Sequence, residues 1–169
     1  MVGATAPLSP FIFKMANKII FLDNIRSAHN VGAIFRTADG AGVSKLYLGG
    51  YTPTPTDRFG RPQPEIVKTS LGASTSMAWE PVAAGEQVAC LRTLQAEGYF
   101  VVAVEQTAGA ISMYDFTVPS KVVYIFGNEV TGVQPELLAV ADSALHIPLH
   151  GHKESLNVAT TVGIIVFLP

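Results

Sequence analysis

The sequence predicts an α/β fold, a mostly parallel sheet flanked by helices, on three observations. Short apolar runs rich in β-branched residues alternate with helix-like segments. Two of those runs, "YFVVAVE" (99–105) and "KVVYIFG" (121–127), are apolar almost throughout, as strands buried on both faces are. Polar or glycine-rich turns follow the runs directly, at 105–110 and 127–132.

The elements follow in order. "KIIFLD" (18–23) reads as a strand. In "NVGAIFRTADGAG" (30–42), Val31, Ile34, Phe35 and Ala38 share a helical face, and Gly40 and Gly42 close it. "KLYLGG" (45–50) is a second strand. "GGYTPTPTDRFGRPQPE" (49–65) holds four Pro and three Gly, so it is expected to be irregular. Its functional reading is a mobile, basic lid carrying Arg58 and Arg61. "AGEQVACLRTLQAEG" (84–98) is a helix with Val88, Leu91 and Leu94 on one face. "PELLAVA" (135–141) is a short helix with Pro in its first turn, "ALHIPL" (144–149) a last strand, and 156–167 a last helix. Trp79 is expected in the core.

The 169 residues suit one domain, expected over 15–169, and 49% hydrophobic content suffices for a core. Residues 1–14 read as a leader or disordered N-terminus, because a strand begins just after Met15. With Cys90 alone, an internal disulfide and a cysteine-based zinc site are excluded, and a reducing, cytoplasmic compartment is expected. No apolar run is long enough to span a membrane. Residues 1–75 carry a net charge of +4 and 76–169 a net of −6, which predicts a basic face from the first half.

Several chemistries fail on their motifs. No G-x-G-x-x-G follows the first strand, and no P-loop or G-x-S-x-G elbow occurs. The His150-Gly151-His152 pair lacks further ligands, so no metal is expected. The joint from His150 to Asn157 still concentrates polar residues between a strand and a helix. It offers hydrogen bonds and a helix N-terminus for a bound group.

Three segments in order, "HNVGAIFRTADGAG" (29–42), "IFGNEVTGV" (125–133) and "IPLHGHKESLNVATTVGI" (147–164), resemble the three motifs of the SpoU-type (TrmH-like) RNA 2'-O-ribose methyltransferases of the SPOUT superfamily. The likeness runs from residue 18 to about 167. It implies a deep trefoil knot in the C-terminal part, a homodimer, S-adenosylmethionine as cofactor, and methyl transfer to a ribose 2'-hydroxyl of tRNA or rRNA. Matched residue by residue, it implies Asn30, Arg36, Glu129, Ser155 and Asn157 as catalytic residues. It implies cofactor contacts at Glu105, Gln106, Thr107, Gly127, Ile147, Pro148, Ser155, Leu156 and Asn157. Arg36 is expected to serve the partner subunit's site, and to contact RNA with Arg58 and Arg61. Many relatives carry an N-terminal RNA-binding module for which the chain has no match, so RNA contact is expected from the basic first half. The rival reading is a non-catalytic RNA-binding or assembly module that keeps the fold. A different cofactor-binding α/β enzyme stands behind it.

Overall fold

The computed structural model describes residues 16–169, so the expected leader lies outside the described residues. Seven strands form one sheet: β1 (Asn17–Asp23), β2 (Lys45–Gly49), β3 (Trp79–Val82), β4 (Phe100–Val104), β5 (Ile111–Ser112), β6 (Lys121–Phe126) and β7 (Ser143–His146). Their order is β3-β2-β1-β6-β4-β7-β5, and every neighbouring pair is parallel. The helices are α1 (Ala28–Gly40), α2 (Pro64–Ser70), α3 (Ala73–Ser76), α4 (Gln87–Ala96), α5 (Pro135–Leu138) and α6 (Val158–Val166).

The unbroken apolar strands are buried on both faces. In β1, Ile20 and Leu22 join the cluster beneath α1 and α6, while Ile19 and Phe21 join the one beneath α4 and α5. β6 divides likewise, with Val122, Tyr124 and Phe126 on the first side and Val123 and Ile125 on the second. Each fully buried Leu, Ile or Phe contributes on the order of 1.5–3 kcal/mol. The expected helix stripe of Val31, Ile34, Phe35 and Ala38 is wholly buried. Trp79 is half-buried against the same cluster.

Helix α1 begins two residues earlier than its apolar pattern suggests, because the Ser27 hydroxyl accepts from the Asn30 amide at 3.2 Å and caps it. The last strand ends at His146, earlier than expected, because Ile147 and Pro148 leave the sheet. Pro148 has no amide for a ladder. The expected irregular stretch at 49–65 ends in α2, with Pro64 in its first turn. Lys18 ties the sheet to the end of α6: its Nζ donates to the Val166 and Leu168 carbonyls at 2.8 and 2.9 Å. Burial lowers its pKa.

The parallel register brings the carboxyl ends of β1, β6, β4 and β7 side by side, with Leu22 beside Phe126, Phe126 beside Val104, and Val104 beside Leu145. Ligands in open parallel sheets bind outside this edge.

Candidate active site

At that edge lies a cavity of about 360 Å³. Its floor is apolar, with Phe126, Leu145, Ile147, Leu149 and Val158. Its polar wall carries Glu105, Gln106, Glu129, Glu154 and Ser155.

The 127–133 turn is held from several sides. Asn128 is buried, and its Nδ2 donates to the Asn24 carbonyl at 2.7 Å and to the Tyr51 hydroxyl at 2.9 Å. Its Oδ1 accepts from the amides of Val130 and Thr131. Backbone approaches are so close that side chains have no room. A Cβ on Gly127 would stand 2.2 Å from the backbone of Gly132 and Val133, and one on Gly132 would meet the Glu105 carboxylate. Gly132 also has φ +71°, a conformation that favours glycine. The Glu105 carboxylate accepts from the Val133 amide at 2.9 Å and the Gln106 amide at 3.0 Å, so it is aimed as well as charged. Beneath the turn, buried Asp23 accepts from the Gln134 amide at 2.8 Å, and burial pushes its pKa up.

Asn30, Glu129 and Asn157 form one bridge. Glu129 accepts from Asn30 Nδ2 at 3.0 Å and from the Arg26 amide at 3.1 Å. Asn157 Nδ2 donates to Asn30 Oδ1 at 3.1 Å. The Asn157 Oδ1 accepts from the Ala159 amide at 2.8 Å and caps α6. Residues from three distant segments thus share one hydrogen-bond chain. Desolvation raises the Glu129 pKa, but hydrogen bonds from Arg26, its own amide, Asn30 and Ser27 outweigh it, and the net shift is downward.

Of the expected cofactor contacts, Glu105, Gln106, Gly127, Ile147, Ser155 and Leu156 line the cavity. Thr107, Pro148 and Asn157 do not. Thr107 is exposed in a turn closed by the Ala110 amide on its carbonyl. Pro148 sits between the lining residues Ile147 and Leu149. The Asn157 amide is committed to Asn30 and to the α6 cap. Arg36 is exposed and stands apart, in a second cleft with His29, Lys68, Leu71 and Phe167. Arg58 and Arg61 lie exposed on the loop before α2.

Sequence reasoning missed Asn128 and His146, and marked Glu154 only as one of the polar residues of the 150–157 joint. Asn128 carries a signal, an amide beside glycine just past a buried strand, whereas His146 carries none.

The cavity fits S-adenosylmethionine. Its volume falls in the range of small-ligand sites, roughly 300–1,000 Å³. Three carboxylates, Glu105, Glu129 and Glu154, suit a ligand bearing a sulfonium and an ammonium. The buried Nδ1 of His146 in the wall has no hydrogen-bond partner among the described residues, which leaves it for a bound group. Among the described residues no three His, Cys, Asp or Glu gather as metal ligands.

Comparison with known proteins agrees with this geometry. The SpoU rRNA Methylase family matches residues 17–167. The 23S rRNA (guanosine(2553)-2'-O)-methyltransferase RlmP of Bacillus subtilis is 33% identical over 152 residues, 90% of this chain and 57% of that protein. The 23S rRNA (guanosine-2'-O-)-methyltransferase RlmB of Xanthomonas axonopodis is 31% identical over 150 residues, 88% of this chain and 56% of that protein. The chain therefore spans a little over half the length of these curated relatives. Among solved structures, the AdoMet-bound rRNA methyltransferase from Sinorhizobium meliloti superposes with a TM-score of 0.77 at 32% identity, covering 89% of this chain and 54% of that one. The Aquifex aeolicus TrmH/SpoU tRNA modifying enzyme gives 0.77 at 28%, covering 89% and 72%. With the match running through all seven strands and the cavity they hold, the chain belongs to the SpoU rRNA Methylase family.

Proposed function

We propose that the protein transfers a methyl group from S-adenosylmethionine to a ribose 2'-hydroxyl of tRNA or rRNA. The observation that carries this reading is the Asn30–Glu129–Asn157 bridge, which joins the three motif segments beside the cavity. Relatives named as 2'-O-methyltransferases of both RNA classes support it. That substrate class fits a cytoplasmic setting.

When bound, S-adenosylmethionine supplies an electrophilic methyl on its sulfonium. Glu105, fixed by two amides, and Glu154 attract the cationic end. Phe126, Leu145 and Ile147 bury the apolar surface and exclude water. The close packing of Gly127 on Gly132 lets bare backbone form the wall. Ser155 and Leu156 close the cavity from the α6 side. Glu129 holds Asn30, and Asn30 aligns α1 with the α6 cap at Asn157.

Arg36 acts on RNA in the partner's site of a homodimer. Its separation from the cavity supports this, as do the exposed apolar side chains of Leu71 and Phe167 in the same cleft. A guanidinium is a poor proton acceptor and a good bidentate partner for phosphate. Arg36 therefore clamps the target phosphate and orients the ribose, and the hydroxyl proton leaves to water or to that phosphate. Holding the hydroxyl in line with the methyl is the main catalytic contribution. We assign the C-terminal part a trefoil knot. The insertion of β6 between β1 and β4, with the chain then returning outward to β7, supports it.

The test uses purified protein, labelled S-adenosylmethionine and unmodified total RNA, with Arg36→Ala as control. A new ribose-methylated nucleotide is expected with the wild type and absent with the variant. Calorimetry should give micromolar cofactor binding for both. Absence of cofactor binding in the wild type would sink the enzymatic reading and favour the non-catalytic module.

A further inference from the structure

We propose that the loop joining β2 to α2 is a stacking platform for an unpaired RNA nucleotide next to the methylated one, with Tyr51 and Phe59 as its faces. This rests on the reading of RNA as substrate. It adds a recognition element and a preference for single-stranded RNA.

Two aromatic rings stand in solvent on this loop, Tyr51 at 62% and Phe59 at 65% exposure. Arg58 and Arg61 both approach the Phe59 ring, with guanidinium carbons 4.7 and 5.0 Å from its centroid. The turn is pinned from within. The Asp57 carboxylate accepts from the Phe59 amide at 2.8 Å, the Arg61 amide at 3.0 Å and Arg61 Nε at 2.7 Å. The Asp57 amide donates to the Arg61 carbonyl, and the Gln63 amide to the Pro55 carbonyl. Such bracing fits a preset surface better than the mobile lid its composition suggests. Preset surfaces lose less conformational entropy on binding.

Tyr51 and Arg61 share a cleft of about 300 Å³ with Thr54, Asp57, Pro62 and Gln63. The Tyr51 hydroxyl accepts from Asn128 Nδ2, and Asn128 lines the cofactor cavity. The cleft therefore adjoins the reaction site. Aromatic faces beside guanidinium groups suit single-stranded nucleic acid, whose bases stack while its phosphates meet the cations. Bases in a duplex have their faces occupied, which is why unpaired nucleotides are the expected ligand. Arg61 is paired with Asp57, whereas Arg58 has no carboxylate partner among the described residues and remains for phosphate. The two guanidinium groups at the ring favour RNA over an apolar protein partner.

The test uses a ten-nucleotide unstructured RNA and the matching ten-base-pair duplex, read by fluorescence anisotropy at fixed salt. Phe59→Ala should weaken single-strand binding about tenfold and leave duplex binding within about twofold. Phe59→Trp should keep single-strand affinity, and its added emission should be quenched as RNA binds. Trp79 alone gives the background. Equal single-strand affinity for wild type and Phe59→Ala, an unquenched Trp at position 59, or no wild-type binding would each overturn the platform. The first result would leave the aromatic pair to a protein partner. Cofactor calorimetry on the same samples separates the two readings. Loss of the platform with cofactor binding intact leaves the enzymatic reading standing, and failure of wild-type cofactor binding counts against that reading alone.

Discussion

The cavity has two unlike walls. The 127–133 turn is locked by the four side-chain hydrogen bonds of buried Asn128, the Glu105 carboxylate that accepts from the Val133 amide, and backbone contacts that leave no space for a Cβ. The 147–157 segment is exposed from His150 through Asn157. It is held chiefly at its far end, where Gln106 donates to the Glu154 carbonyl and Asn157 binds Asn30. One wall is a tightly held template, and the other, exposed and held at few points, is expected to adjust to a ligand. Local stability should follow the same division, since it tracks buried contacts and satisfied polar groups.

The largest effect should come from crowding the fixed wall. Gly127→Ala puts a methyl 2.2 Å from the Gly132 and Val133 backbone, which cannot rotate away. We expect a loss of about 3 kcal/mol or more, or roughly 6–12 °C in Tm. A thermal melt within about 2 °C of wild type would show that the fixed wall yields.

Asn128→Ala comes next. It strands the Asn24 carbonyl and two loop amides. The expected cost is about 2 kcal/mol, seen as a lower urea midpoint at unchanged slope. Cofactor affinity should fall with it, because the same residue lines the cavity.

The difference between the walls also explains what could be read from the sequence. The strands were legible because a strand buried on both faces is apolar at successive positions, as Val122 to Phe126 are. β3 was not, since Glu80 and Pro81 interrupt it at the sheet's outer part, and β5 is only two residues long. Helices α2 and α3 hid behind the Pro-rich loop, and neither is long enough to show a period. Asn30, Glu129 and Asn157 were visible through motif likeness, and Glu129 holding Asn30 was within reach of that likeness, but the Asn157 contact that completes the bridge was not. Contacts between residues 99 and 127 positions apart are set by topology. The same holds for Asp23 beneath Gln134, 111 residues away. Arg36 was assigned to a partner's site by likeness alone, and its distance from the cavity follows from its place on the outer side of α1.

A smaller effect tests where the walls meet. Hydrogen bonds lower the Glu129 pKa in spite of desolvation. A carboxylate so depressed contributes stability that is present above its unfolded value of about 4.3 and lost as pH falls through the folded value. Glu129→Gln cannot accept from both Arg26 and Asn30, because its amide nitrogen is a donor facing a donor. At pH 7 the variant should be less stable, by under about 1 kcal/mol because the group is largely exposed. The gap between the two urea midpoints should close as pH falls below about 4. A gap that persists unchanged at pH 3 would mean that the bridge does not depend on the charge.

The smallest effect belongs to the adjustable wall, and it makes the comparison with Gly127 fair. Gly151 has nothing within 4 Å of where a Cβ would stand, and its φ lies outside the left-handed range. Gly151→Ala should therefore leave stability within about 0.5 kcal/mol of wild type. The sign should be neutral to slightly stabilising, since alanine reduces the freedom of the unfolded chain. Cofactor affinity is the more telling readout. If the segment must rearrange around the ligand, alanine restricts conformations that glycine permits, and affinity should drop severalfold with the melt unchanged. If affinity and melt both stay put, the segment already holds its bound shape. The two walls would then differ in how tightly they are held but not in how much they move.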